Sequence, residues 1–156
     1  MDSNTKDNSD LLIEFIDSLE AEFVGKYVPL KTIPKINHYR LPEDYKYFLN
    51  WSNGFSLFGS EILGIGNVQY DLIKTTIWEQ NESNNLMPSH IIPFSPMGNG
   101  DFYCFDLKKG LDEDGLCPII YWQWNYSSPE RYEKVNDSFI EWLKELIEHS
   151  LSDEEE

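Results

Sequence analysis

Basic residues are scarce in this chain: 12 Lys and Arg stand against 28 Asp and Glu, for a formal charge of −16. So acidic a protein is repelled by nucleic acid and by anionic membrane surfaces, and a partner steered to it is basic. Cysteine is scarcer still. Cys104 and Cys117 alone cannot make a disulfide framework, and buried free thiols are the cytosolic default. Long apolar runs are missing too: no stretch approaches the ~18 consecutive apolar residues of a membrane span. The opening Met1-Asp2-Ser3-Asn4-Thr5-Lys6-Asp7 has neither the apolar core nor the basic cluster of a secretory signal. A soluble, cytoplasmic protein is expected. What is present argues for a single folded domain of 156 residues, 40% hydrophobic and 15% aromatic, which needs no disulfide or metal staple.

Periodicity divides the chain. Residues 1–9 are polar and are expected to fray. From Asp10, the apolar residues Leu11, Leu12, Phe15, Ile16, Leu19 and Phe23 form a helical stripe that Gly25 ends. After a connection punctuated by Pro29 and Pro34, Leu41-Pro42-Glu43-Asp44 starts a second helix. Its proline and carboxylates suit a first turn, Tyr45, Phe48 and Leu49 form its inner face, and Asn53-Gly54 ends it. Phe55 to Ile65, broken by glycines, predicts a tight hairpin. Asp71 to Glu82 is ambiguous, because Thr75, Thr76 and Ile77 are β-branched; a helix is favoured, with Leu72, Thr76 and Glu79 sharing one face.

Three strands are predicted next, at His90–Ser95, Asp101–Leu107 and Pro118–Tyr126, joined by short turn-forming links and hence antiparallel. A closing helix is marked by Phe139, Trp142, Leu143, Leu146 and Ile147, with Ser138 and Glu141 as a capping box. The expected class is α+β: an antiparallel sheet of about four to six strands flanked by N-terminal helices and a C-terminal helix. Residues 10–150 form the domain, and 151–156 an acidic tail.

Motifs for chemistry are thin. Gly64-Ile65-Gly66 opens like a dinucleotide fingerprint, but Gln69 stands where a third glycine belongs, so a hairpin glycine pair is the simpler reading. Asp112-Glu113-Asp114-Gly115 lacks the spaced oxygen ligands of a calcium loop and reads as a solvated hairpin tip. His38, His90, His149, Cys104 and Cys117 show no metal-ligand spacing. Cys104 sits among aromatics as a core thiol. No catalytic residue, metal or cofactor is expected.

Two features stand out. Ile120, Trp122, Trp124 and Tyr126 alternate along the last predicted strand, so they share one side of the sheet. Most of these belong to the core. The polar neighbours of Trp124 and Tyr126 leave that end exposed, where aromatics make good interface anchors. The second feature is charge placement. Residues 1–60 carry 9 acids and 6 bases, whereas 61–156 carry 19 acids and 6 bases, a net of −13. That surplus either aids solubility or complements a basic protein.

Three blocks carry a family resemblance. They are Leu41-Pro42-Glu43-Asp44-Tyr45-Lys46-Tyr47-Phe48-Leu49 with Asn53-Gly54; Gly100-Asp101-Phe102-Tyr103-Cys104-Phe105-Asp106-Leu107 with Cys117-Pro118-Ile119-Ile120-Tyr121-Trp122; and Ser138-Phe139-Ile140-Glu141-Trp142-Leu143. In this order they resemble the signatures of the SUKH superfamily, across about residues 41–147. The resemblance implies an α+β domain with an antiparallel sheet wrapped by helices, and a non-enzymatic role. Bacterial members look like immunity proteins that neutralise a toxin, very often a nuclease; fungal members are linked to cell-wall synthesis and signalling. The family offers no fixed binding motif, and Gly100-Asp101 is expected to be mainly structural.

Charge and resemblance converge on an intracellular antitoxin for a basic protein toxin, most simply a nuclease. Asp112, Glu113, Asp114, Trp124 and Tyr126 are its expected toxin contacts, chosen for exposure and chemistry. Neither nucleic acid nor membrane is an expected partner, and a monomer or weak homo-oligomer is anticipated. A cell-wall-type regulatory scaffold and an enzyme or glycan-binding domain stay open; the last would show a deep pocket of Trp122 or Trp124 with convergent carboxylates.

Overall fold

Four helices and seven strands occur among the described residues of the computed structural model, namely 1–19, 23–24, 32–66, 71–124 and 132–155. In chain order they are α1 (Ser3–Asp17), β1 (Phe23–Val24), α2 (Glu43–Trp51), β2 (Phe55–Leu57), β3 (Ser60–Ile62), α3 (Leu72–Asn81), β4 (Ile91–Pro96), β5 (Phe102–Asp106), β6 (Ile119–Trp122), β7 (Tyr132–Asn136) and α4 (Phe139–Glu155). The fold is α+β. Its strands pair antiparallel, β1-β2-β3 in one sheet and the meander β4-β5-β6-β7 in the other. The sheets are stitched where the Leu63 amide donates to the Phe94 carbonyl (2.9 Å) and Ser95 Oγ to the Glu61 carbonyl (2.6 Å).

Strand alternation gives the meander two buried faces. Ile92, Phe94, Phe105 and Ile119 join Tyr45, Phe48, Phe139 and Trp142, from α2 and α4, in the main core. Phe94 stacks on Phe105 at 4.4 Å and meets the Trp142 ring edge-on at 4.9 Å. Each such side chain, fully buried, stabilises the fold by about 1.5–3 kcal/mol. The opposite face holds a smaller core of Ile91, Phe102, Cys104, Ile120 and Trp122, closed by Met87. Both cysteines are buried, and burial pushes their thiols well above the ordinary range, which disfavours the thiolate.

The first and last signature blocks are joined by one side chain. Asp44, in the first turn of α2, accepts from its neighbour's amide, Tyr45 N (2.9 Å), and from Ile140 N in the first turn of α4 (3.1 Å). The Glu141 amide turns to Ser138 Oγ (3.3 Å), as the capping pattern predicts. Two of the orphan amides of α4 are thereby satisfied, one of them from a distant segment. Asn53-Gly54 also has a physical reason. The Asn53 side chain spans the Ile65 backbone, donating to its carbonyl (2.6 Å) and accepting from its amide (2.8 Å). A Cβ on Gly54 would lie 2.9 Å from the Gly64 nitrogen.

Several elements depart from the sequence pattern. The helix expected from Asp10 begins at Ser3, because Asp2 caps it through the Thr5 amide (2.7 Å) and Thr5 and Ser9 extend its inward row. It stops at Asp17, with the Ser18 amide turned to the Glu14 and Phe15 carbonyls; Phe23 instead pairs with Leu57 in β1. Gly25 and Pro29 lie outside the described residues. Gly64 and Gly66 are not the hairpin pair: the β2–β3 turn uses Phe58 and Gly59, and the other two glycines lead into α3. The strand expected over Pro118–Tyr126 is shorter, and β7 follows as an additional fourth strand of the meander.

Candidate functional site

α3 forms despite its β-branched residues, and Asp71 explains its start. The carboxylate accepts from Ile73 N (2.7 Å) and Lys74 N (3.1 Å) with one oxygen and from Gly66 N (2.7 Å) with the other. An N-terminal carboxylate already fills the place a dinucleotide phosphate would take. Leu72, Thr76 and Glu79 are the buried row, as their spacing predicts. A neighbouring row, Asp71, Lys74, Thr75 and Trp78, runs along one wall of a surface cleft.

The facing wall comes from the rim of the smaller core. Gly100, Phe102 and Trp124 line it, and the cleft encloses about 500 Å³. Trp78 is 56% exposed and Trp124 45%, so both indoles offer substantial surface to solvent. Among the described residues no ring contact links them. Glu79 also lines the cleft but is only 6% exposed. Among the described residues its carboxylate has no hydrogen bond or ion pair, and burial raises it above the usual carboxylate range.

The Gly-Asp turn builds this site. Gly100 sits at φ +97°, and a Cβ there would lie 2.7 Å from the Trp124 ring. Only glycine meets both demands, the left-handed backbone and the ring packed against it. Asp101 accepts from the Trp124 amide (3.1 Å) and from the Tyr121 hydroxyl (2.7 Å), drawing the backbone off the β-ladder after Trp122. The hydroxyl donates to a carboxylate, so Tyr121 is pushed up to about 12. Asn85 Nδ2 donates to the Trp124 carbonyl. Trp124 is therefore an exposed aromatic on a backbone tied from two sides. The structural role expected of Gly100-Asp101 is seen here, and its product is the placement of Trp124.

The acidic tip lies elsewhere. Asp112, Glu113 and Asp114 are exposed in the β5–β6 connection, at the Asp106–Ile119 end of that hairpin, whereas Trp124 leaves the other end. Five strand residues separate the two, about 17 Å. The tip acids are not equivalent. Asp112 accepts from the Asp114 amide (2.9 Å) and the Leu116 amide (3.0 Å), forming the turn itself. Asp114 is raised by its hydrogen bond with the Asp2 side chain. Glu113 alone projects without either tie. The loop is seated on α2, where the Glu43 amide donates to the Gly115 carbonyl (2.8 Å). Tyr126 lies outside the described residues.

Sequence reasoning placed Ile120 and Trp122 on a buried face with Trp124 beyond it, as observed. It missed Trp78 as a site residue. The signal was present in a lone Trp one position before the inward Glu79, but it reads as a site only once α3 is set beside the Gly100–Trp124 corner. Among the described residues no group of His, Cys, Asp and Glu is arranged to hold a metal ion, and no helix is long and apolar enough to cross a membrane. Residues 30–145 match the family model described as SMI1 / KNR4 family (SUKH-1). That span takes in all three signature blocks, both walls of the cleft and the acidic tip, and the chain belongs to the SMI1/KNR4 (SUKH-1) family.

Proposed function

We propose that this chain is an immunity protein, an intracellular antitoxin that binds a cognate basic protein toxin, most simply a nuclease, and occludes it. SUKH domains are commonly immunity proteins, and the formal charge of −16 suits such a partner. A nuclease must bind phosphate, so its working cleft carries Lys and Arg. The observation that carries the reading is Trp124: a 45% exposed indole whose position is fixed before any partner arrives. Preorganised aromatic anchors keep binding energy that ordering a loop would consume. In this reading the acidic exterior, including Asp112, Glu113 and Asp114, accelerates encounter, while the aromatic cleft slows release. Tyr126 is assigned to the same contact surface on its chemistry. Co-expression with the product of the neighbouring gene tests it: the chain is expected to bind that product and restore growth, and failure of both overturns the reading.

One observation favours a second reading. The cleft combines Trp124 and Trp78 with Asp71 and Glu79, a setting in which sugars stack on indoles. The Asp71 carboxylate is spent on three amides, which leaves Glu79 alone and points to glycan binding rather than hydrolysis. Titration with wall oligosaccharides, followed by tryptophan fluorescence, separates the two: quenching at micromolar sugar favours the glycan, and silence favours the protein partner.

A further inference from the structure

We infer that the cleft between Trp78 and Trp124 receives an arginine side chain of the partner protein, its guanidinium stacked on indole and paired with Glu79. The inference rests on the antitoxin reading for the partner's identity, but its chemistry comes from the cleft. Glu79 is the telling residue. Glu79 as a residue is 6% exposed, but its carboxylate reaches the solvent of the cleft with no donor bonded to it among the described residues, so it is open to a partner from outside. A partly desolvated acid gains from pairing with a cation. Burial already holds Glu79 above the ordinary carboxylate range, and its charge is felt by the buried Cys104 thiol beneath the cleft.

The surroundings select the cation. Two exposed indoles flank the opening, and an indole face attracts a cation through its quadrupole. Arginine fits better than lysine, because its planar guanidinium stacks on the ring while its forked donors address a carboxylate. Phe102, on the facing wall, supplies apolar surface for the methylene stem. Lys74, exposed on the same wall, makes no ion pair with Glu79 within 4.0 Å.

The test uses the intact chain labelled with nitrogen-15, reading the indole N–H signals while N-acetyl-arginine amide is added. The Trp78 and Trp124 signals are expected to shift saturably, while those of Trp51, Trp122 and Trp142 stay put. N-acetyl-citrulline amide, the same shape without charge, should move neither. Glu79→Gln should weaken arginine binding at least about tenfold, equivalent to ~1.4 kcal/mol. Equal response to citrulline, or undiminished binding by Glu79→Gln, overturns the inference. A second arm uses the co-expressed partner with Trp78→Ala and Glu79→Gln, both checked for an unchanged melting profile. Rescue by the parent with no loss in either variant sinks the cleft assignment and leaves the antitoxin reading intact. Arginine binding without rescue does the reverse.

Discussion

Gly100 bears two constraints whose effects can be separated by experiment. Its φ of +97° alone disfavours any side chain, and the Trp124 ring occupies the space a Cβ would need. Gly100→Ala is expected to lose about 1–3 kcal/mol in urea unfolding and to change the near-ultraviolet dichroism as Trp124 is displaced. Asp101 acts on the same tryptophan through its amide. Asp101→Ala should cost a similar amount, since a hydrogen bond to a charged group contributes about 1.5–3 kcal/mol. It should also bring Tyr121 down from about 12 toward the ordinary phenol value, read by ultraviolet pH titration. Unchanged Tyr121 titration would mean that the hydrogen bond does not set its acidity. Such residue-scale ties were only half legible beforehand. Glycine followed by aspartate announces a turn, but nothing in those two letters says that a tryptophan more than twenty residues on will rest against them.

At the scale of elements, the clearest coupling is α2 to α4 through Asp44. Burial outweighs the amide bonds that favour its anion and pushes Asp44 from 3.8 up to about 6. The folded state thus holds this proton more tightly than the unfolded chain does. The stability it contributes is fully present below about pH 4 and is lost as pH rises through about 6. Asp44→Asn removes the titration. Relative to the parent, the variant should gain on the order of 3 kcal/mol between about pH 4 and pH 7.5, measured by urea midpoints. Asp44→Ala, which leaves the Ile140 amide without its acceptor, should lose about 0.5–2 kcal/mol below about pH 4 and, lacking the same titration, should recover relative to the parent as pH rises through about 6.

Elements with their own periodicity were readable in the sequence: α2, α4 and the β4–β6 strands follow their apolar spacing. Those that depend on a distant partner were not. β1 is two residues long and exists through pairing with Leu57 and Ser56. The central Glu133, Lys134 and Val135 of β7 are all exposed, so no period of two marks it. For the same reason Trp78 was invisible as a site residue, since the rotation of α3 is set by Leu72, Thr76 and Glu79 meeting the sheet.

At the scale of the whole molecule, charge and aromatic surface divide the work. The acidic tip and Trp124 occupy opposite ends of the β5–β6 hairpin, so one small contact patch does not hold both. The tip governs encounter and the tryptophan governs release, and salt separates those roles. Raising ionic strength from about 0.05 to 0.5 M should slow association with the basic partner tenfold or more, while dissociation changes little. Trp124→Ala should do the opposite, raising the dissociation rate with association nearly unchanged. Stopped-flow mixing reads both. The most direct measurement is growth of a host producing the toxin encoded beside this chain. The parent chain should give survival, and a Trp78→Ala, Trp124→Ala double variant that still folds should lose protection. Death of the host despite abundant folded parent chain would mean that the chain is not an antitoxin for that toxin.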